Sequence, residues 1–263
     1  MDFSDKKLFI KEIRKNIFLL DEAHEATGYL VVGEKKAALI DTMMGFNDLK
    51  EAVEKLTDKP VVVINTHGHP DHIYGNCYFD EAYLNPKDYD LADEFFKDPE
   101  FLEILNERGG KIPPFKPLNE GDEIDLGGRT LVAHELPGHT KGSTLLLLKE
   151  DRVLFTGDSI NHYLWLQLDH CLPIHVCLEE IEKVLYLEKE ADIILHGHAQ
   201  DVDDISLIHC LRDGLKEIVD GKTEDDSPYE WFDGVDVKHM FKCEPDKHYQ
   251  QEEHAICYRE NNI

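Results

Sequence analysis

Thr66-His67-Gly68-His69-Pro70-Asp71-His72 packs four candidate metal ligands into six residues, directly after the apolar run Val61-Val62-Val63-Ile64. Neutral imidazole and carboxylate oxygen suit zinc, and also iron or manganese. His67 and His69 are two apart, so in an extended segment they point the same way. Asp71 and His72 follow at once and face elsewhere, which suits a second metal. Gly68 and Pro70 interrupt helix and strand alike, so the run reads as a loop at a strand's end. The plainer alternative is a polar turn that is histidine-rich by chance.

Three further stretches supply more ligand types, each just past an apolar strand. The turn Leu136-Pro137-Gly138-His139-Thr140-Lys141-Gly142-Ser143 carries one histidine. Val153-Leu154-Phe155-Thr156-Gly157-Asp158-Ser159 ends in an aspartate, and Ile193-Ile194-Leu195-His196-Gly197-His198 ends in histidine. In that order, H-x-H-x-D-H, P-G-H-T, G-D-S and G-H resemble the metallo-β-lactamase superfamily over about residues 8–200. Ile40-Asp41-Thr42 resembles that family's early acidic turn.

The resemblance implies an α+β fold, a four-layer αββα sandwich with metals between the strand ends. It implies His67, His69 and His139 on a first metal, Asp71, His72 and His198 on a second, and Asp158 bridging them. The family's last turn is proline-glycine-histidine-glycine. Here it reads His196-Gly197-His198-Ala199, which aligns His198 with the ligand and leaves His196 as the alternative, or as an outer residue. The implied cofactor is Zn2+, two ions per chain, with Mn2+ or Fe2+ as substitutes. The implied activity is that of a dinuclear metal-dependent hydrolase, in which a metal-bridging hydroxide attacks a small-molecule ester, thioester, lactone or amide. Asp71 is a candidate proton carrier. Two other readings share the fold: a mono-iron or di-iron redox enzyme such as a sulfur dioxygenase, and a non-catalytic metal-binding protein. Di-iron reductases of the superfamily carry a glutamate where this chain has His69. A thioesterase resembling glyoxalase II needs C-terminal basic residues, and Lys238, Lys242 and Arg259 are spaced without a clear pattern.

Residues 160–177, rich in aromatics and histidines, are expected to form a wall or lid over the site. Within them Tyr163 or His162 is a catalytic candidate, donating a hydrogen bond to a developing oxyanion. For each residue singly, core packing is the plainer role. Tyr74, residues 112–116 and Lys141 are weaker lining candidates, and Ser143 and Ser159 suit backbone bonding in tight turns.

The chain has 263 residues, enough for a single domain, 1–263, with 201–263 as a C-terminal helical and strand cap. It has no apolar stretch of membrane-spanning length. Met1 to Lys7 lack a signal peptide's apolar core, so a cytoplasmic location is expected. The cysteines, Cys77, Cys171, Cys177, Cys210, Cys243 and Cys257, form no C-x-x-C pair and are expected to be reduced, Cys77 as a buried structural thiol. With 28 Lys and Arg against 55 Asp and Glu, the net charge of −27 disfavours a nucleic-acid partner. A small-molecule substrate is expected instead. Tyr229, Trp231 and Phe232 are a candidate homodimer contact.

Strands are expected at 8–20 and 27–40 with turns between, and at 61–65, 144–148, 152–155 and 254–258. A hairpin is expected over 123–136, turning at Gly127-Gly128. Helical stripes run over 46–56, 88–107 with a break near Pro99, 179–187 and 203–219. Residues 112–115 read as an irregular loop and 221–226 as a polar linker.

Overall fold

Runs of alternating and continuous apolar residues build the strands of this chain in a computed structural model that describes residues 6–107 and 109–263. Met1 to Asp5, part of the N-terminal run read above, lie outside the described residues. Among the described residues the chain first lays down a seven-stranded sheet in sequence order. Its strands are β1 (Leu8–Arg14), β2 (Ile17–Glu22), β3 (Ala26–Val32), β4 (Ala37–Ile40), β5 (Val61–Ile64), β6 (Ala82–Leu84) and β7 (Phe115–Pro117). The first four are antiparallel; from β4 onward neighbours run parallel, Ile40 opposite Ile64.

Then come β8 (Glu123–Asp125), β9 (Thr130–Glu135), β10 (Thr144–Leu148) and β11 (Val153–Gly157). β12 (Tyr163–Leu166) leaves this second sheet, and β13 (Ile193–His196) with β14 (Asp203–Asp204) returns to it, in the order β14-β13-β11-β10-β9-β8. β11 and β13 are parallel, with an irregularity that sets Gly157 opposite His196. Finally β15 (Ser227–Trp231), β16 (Gly234–Phe241) and β17 (His254–Tyr258) join β12 in a third sheet, β12-β17-β16-β15.

The period-two alternation of the strands decides the layers. Ile17, Tyr29, Val31, Ala38 and Ile40 of the first sheet pack on Ala133, Leu146, Leu148, Val153, Phe155 and Leu195 of the second. The opposite face of the first sheet, including Leu30, Ala37 and Leu39, takes Leu49 and Val53 of α1 (Leu49–Glu54). Next to it lie α2 (Pro70–Ile73), α3 (Tyr89–Phe95) and α4 (Pro99–Glu107), sharing a cluster of Ile73, Ala92, Phe96 and Phe101. Leu145, Leu147, Leu154 and Ile194 on the outer face of the second sheet take α5 (Ile174–Val184) and α6 (Leu207–Val219). The result is the αββα sandwich of an α+β chain. The third sheet packs on α6 through Phe241, Ile256 and Tyr258.

Several expectations change. The run after Gly68 is not all loop: Pro70 opens α2, because a proline's fixed φ and missing N–H are tolerated in a first helical turn. The helix expected at 179–187 begins at Ile174, and the one expected at 203–219 begins at Leu207 after the short β14. Cys210 and Cys243, expected as thiols, are joined in a disulfide with Cα atoms 5.1 Å apart, because α6 lies alongside the segment that follows β16. Cys77 is half-buried rather than buried. Among the described residues no helix is long and apolar enough to cross a membrane.

Candidate metal centre

Parallel pairing puts the C-terminal ends of β4 and β5 side by side, and likewise those of β11 and β13. The loops leaving these ends meet at one edge of the sandwich. The loop after β5 brings His67 and His69, and α2 brings Asp71 and His72. The turn between β9 and β10 brings His139, and Asp158 and His198 follow β11 and β13. These seven side chains form two groups, His67–His69–His139 and Asp71–His72–Asp158–His198, the ligating atoms within 4.8 Å of one another in each. Asp158 stands between them, its Oδ2 3.0 Å from His198 Nε2 and 3.7 Å from His139 Nε2.

His198, not His196, joins the second group. The turn there tolerates only glycine at 197, since a Cβ would lie 2.4 Å from Asp158 Oδ1 and 2.5 Å from His72 Cε1. Gly157 is similarly required: its φ is +49°, and a Cβ would meet Thr66 Oγ1 at 2.3 Å.

The far side of each imidazole decides what its near side presents. His139 Nδ1 donates to the Trp165 carbonyl at 2.8 Å, and His198 Nδ1 donates to the Glu25 carbonyl at 2.8 Å. His72 Nδ1 donates to Asp41 Oδ2 at 2.9 Å. The Thr66 hydroxyl donates to Asp41 Oδ2 at 2.8 Å and lies 3.1 Å from His67 Nδ1, whose proton it accepts. A neutral imidazole that donates from one nitrogen offers a lone pair at the other. The Nε2 atoms of His67, His72, His139 and His198 are therefore aimed inward, each a lone pair once its ring is neutral. His67 Nε2 and His139 Nε2 lie 3.0 and 2.9 Å from His69 Nδ1.

Lone pairs this close repel unless a cation or proton lies between them. His72 Nε2 and Asp158 Oδ1 stand 3.5 Å apart, and among the described residues both are buried without a hydrogen-bond partner. Burial, then the neighbouring imidazoles, holds His67 and His69 well below the usual histidine range. Burial alone raises Asp71, yet His72 and His198 beside it hold its carboxyl low. Against the cost of burial, Asp71 and Asp158 raise His72 well above the usual histidine range, and Asp158 and Asp71 raise His198 to about 9. In the metal-free centre these two rings hold protons that a bound cation would displace, while His67, His69 and His139 are neutral. Imidazoles facing ionised carboxylates are the donor set of a divalent-cation site, so the residues fit two metals.

Asp41 adopts a left-handed φ of 57°, a strained conformation for a residue with a side chain. Its carboxylate accepts from the Thr66 N–H at 2.7 Å as well as from the hydroxyl and His72. Asp88, which the sequence reading passed over, is buried and ties two ligand loops together. It accepts from Gly68 N at 3.0 Å, Gly142 N at 2.7 Å and Thr140 Oγ1 at 2.6 Å. Nothing in the local sequence marks it beyond the Asn85-Pro86 turn before it.

Two catalytic candidates fall elsewhere. His162 is fully buried, with Nε2 2.9 Å from Asp203 Oδ1 and Nδ1 2.8 Å from His254 Nδ1. Both ring nitrogens are committed, so it has none to offer an oxyanion. Tyr163 donates to Glu253 at 3.2 Å. Both lie on or beside β12, a strand the aromatic run did not reveal. His196 belongs with His162: its Nε2 is 3.3 Å from Asp203 Oδ2, and its Nδ1 accepts from the His198 N–H at 3.2 Å. From residues 160–177 it is the Trp165 carbonyl and His170 that reach the centre.

An αββα sandwich gathering five histidines and two aspartates beyond its strand ends defines the metallo-β-lactamase-fold class. The model of the metallo-β-lactamase superfamily matches residues 24–198, and the chain belongs to that superfamily. Among curated relatives, human acyl-coenzyme A thioesterase MBLAC2 is 28% identical over 182 residues, 57% of this chain and 65% of that protein. The hydroxyacylglutathione hydrolase of Hyphomonas neptunium is 31% identical over 138 residues, 51% of this chain and 47% of that protein. The matched stretch thus spans less than two thirds of either relative. A metallo-β-lactamase family protein from Thermus thermophilus superposes with a TM-score of 0.60 at 21% identity, covering 82% of this chain and 85% of that one. The DIM-1 metallo-β-lactamase gives 0.61 at 18% identity, covering 81% and 98%. These likenesses establish the fold.

Proposed function

We propose that this chain is a metal-dependent hydrolase that cleaves a thioester of a small acyl group. The observation that carries the hydrolase reading is the set of imidazole nitrogens turned inward by acceptors on the far sides of their rings. The thioester reading is supported by two relatives named for hydrolysis of acyl-coenzyme A and of hydroxyacylglutathione.

His67, His69 and His139 would hold one cation, Asp71, His72 and His198 another, with Asp158 shared. Zinc suits this donor set, and manganese or iron(II) are compatible with it. When bound, such a pair supplies Lewis acidity and an acidified water at neutral pH. The chain's own residues do the rest. The second group opens to solvent through the His198 side chain, 39% exposed, and that of Asp71, 29% exposed, so substrate approaches from that side. Asp71, whose carboxyl is ionised at neutral pH, is placed to take a proton at its carboxylate and pass it to the departing sulfur. Asp158 keeps the two groups in register. The rigid acceptors Asp41, Glu25 O and Trp165 O hold the imidazoles in their ligating tautomers.

The test is hydrolysis of a panel of an acyl thioester, its oxygen ester, a lactone and a β-lactam, by wild-type protein and by Asp158→Ala. Preferential turnover of the thioester, lost in the folded variant, is expected. Turnover of the β-lactam alone would remove the thioester reading, and full activity in Asp158→Ala would remove the shared-ligand role.

A further inference from the structure

Four of the five clustered histidines donate their outer N–H to a group that can accept it: Thr66 Oγ1, Asp41, the Trp165 carbonyl or the Glu25 carbonyl. The fifth, His69, is different. Its Nδ1 is the nitrogen that faces His67 Nε2 and His139 Nε2, and its Nε2 is in hydrogen-bond contact with His170 Nε2, the rings edge to face with centroids 4.6 Å apart. Phe95 covers another side of the His69 ring, with centroids 5.8 Å apart.

His170 is held at this spot by its own loop. The Cys171 thiol donates to the His139 carbonyl at 3.1 Å, and the Leu172 N–H donates to the Gly138 carbonyl at 2.8 Å. Asp169 is ion-paired with Arg259 beyond the last strand. The loop between β12 and α5 is thus stitched to the turn that carries His139, and His170 is delivered to His69 from the same anchorage.

We propose that His170 is the positioning residue for His69. Its unprotonated Nε2 accepts the His69 Nε2–H, which fixes the tautomer in which Nδ1 is free to ligate. An imidazole here does what hydroxyl, carboxylate and carbonyl oxygens do for the other ligands. Because His170 comes from residues 160–177, the first metal group depends on a segment outside all four ligand motifs. The proposal rests on the two-metal reading of the site.

Cobalt(II) titration of metal-free protein, followed by visible absorption and by competition with a chelator, tests it without reference to turnover. His170→Ala should bind one of the two cobalt equivalents about ten- to a hundredfold more weakly, with an altered absorption band, and leave the other within about twofold. His170→Gln, whose side-chain carbonyl can accept the same proton, should recover most of that affinity. Unchanged cobalt affinity and spectrum in His170→Ala would overturn the assignment. So would equal loss in both variants, whatever their melting temperatures, because packing and not acceptance would then be at stake. Wild-type protein that takes up no cobalt would overturn the metal centre itself and this assignment with it.

Discussion

At the scale of single residues, the centre depends as much on acceptors as on ligands. Asp41 stands behind both groups, on His72 directly and on His67 through Thr66. Replacing it with asparagine keeps the volume and tolerates the left-handed backbone. One amide face, however, can only donate: in one orientation the Thr66 N–H loses its acceptor, and in the other the Thr66 hydroxyl and His72 both lose theirs. Asp41→Asn should fold and should weaken metal binding about ten- to a hundredfold, read by chelator competition; wild-type affinity would show that the ligand loop does not depend on Asp41 offering two acceptor oxygens. The ligands themselves were legible in the sequence because imidazoles and carboxylates in that order have few other uses. His196 and His198 are two residues apart and chemically identical, and only the fold tells them apart, since one faces Asp158 and the other Asp203. His162 misled for the same reason: sequence shows a histidine near the bridging aspartate and not which way its ring turns.

At the scale of elements, strands rich in β-branched and leucine residues were readable and their partners were not. Val61–Ile64 and Ala37–Ile40 announce themselves as buried strands. That their parallel pairing sets Asp41 beside Thr66 follows from register alone. β12, β15 and β16 were missed because Tyr163–Leu166 and Ser227–Trp231 alternate around aromatics and charges. Asp88 precedes α3 and bridges the loop after β5 to the turn between β9 and β10, a tertiary role with no local signature. Asp88→Ala would strand three donors, so stability should fall by about 3 kcal/mol or more in urea unfolding of the metal-free protein. The first metal group should loosen with it; unchanged stability would mean the two loops are held together by other contacts.

For the whole molecule, the third sheet is tied to the sandwich through a buried chain running His254, His162, Asp203 and His196 to the backbone of His198. Burial, then His162, pushes His254 down to about 4 from its ordinary 6.5. Between these values the unfolded chain binds the extra proton. The contribution of His254 to stability is therefore complete above about pH 6.5 and is lost as pH falls toward 4. His254→Gln should show a shallower loss of stability over that window than wild type, measured by denaturant unfolding at stepped pH; parallel curves would show that His254 does not stay neutral in the fold. The proposed chemistry stands on the two ligand groups holding two metals. Elemental analysis of protein purified without added metal tests this most directly. About two zinc, manganese or iron ions per chain are predicted from the two groups, falling to about one or fewer in Asp158→Ala. Wild-type protein that binds none when offered zinc at neutral pH would contradict it.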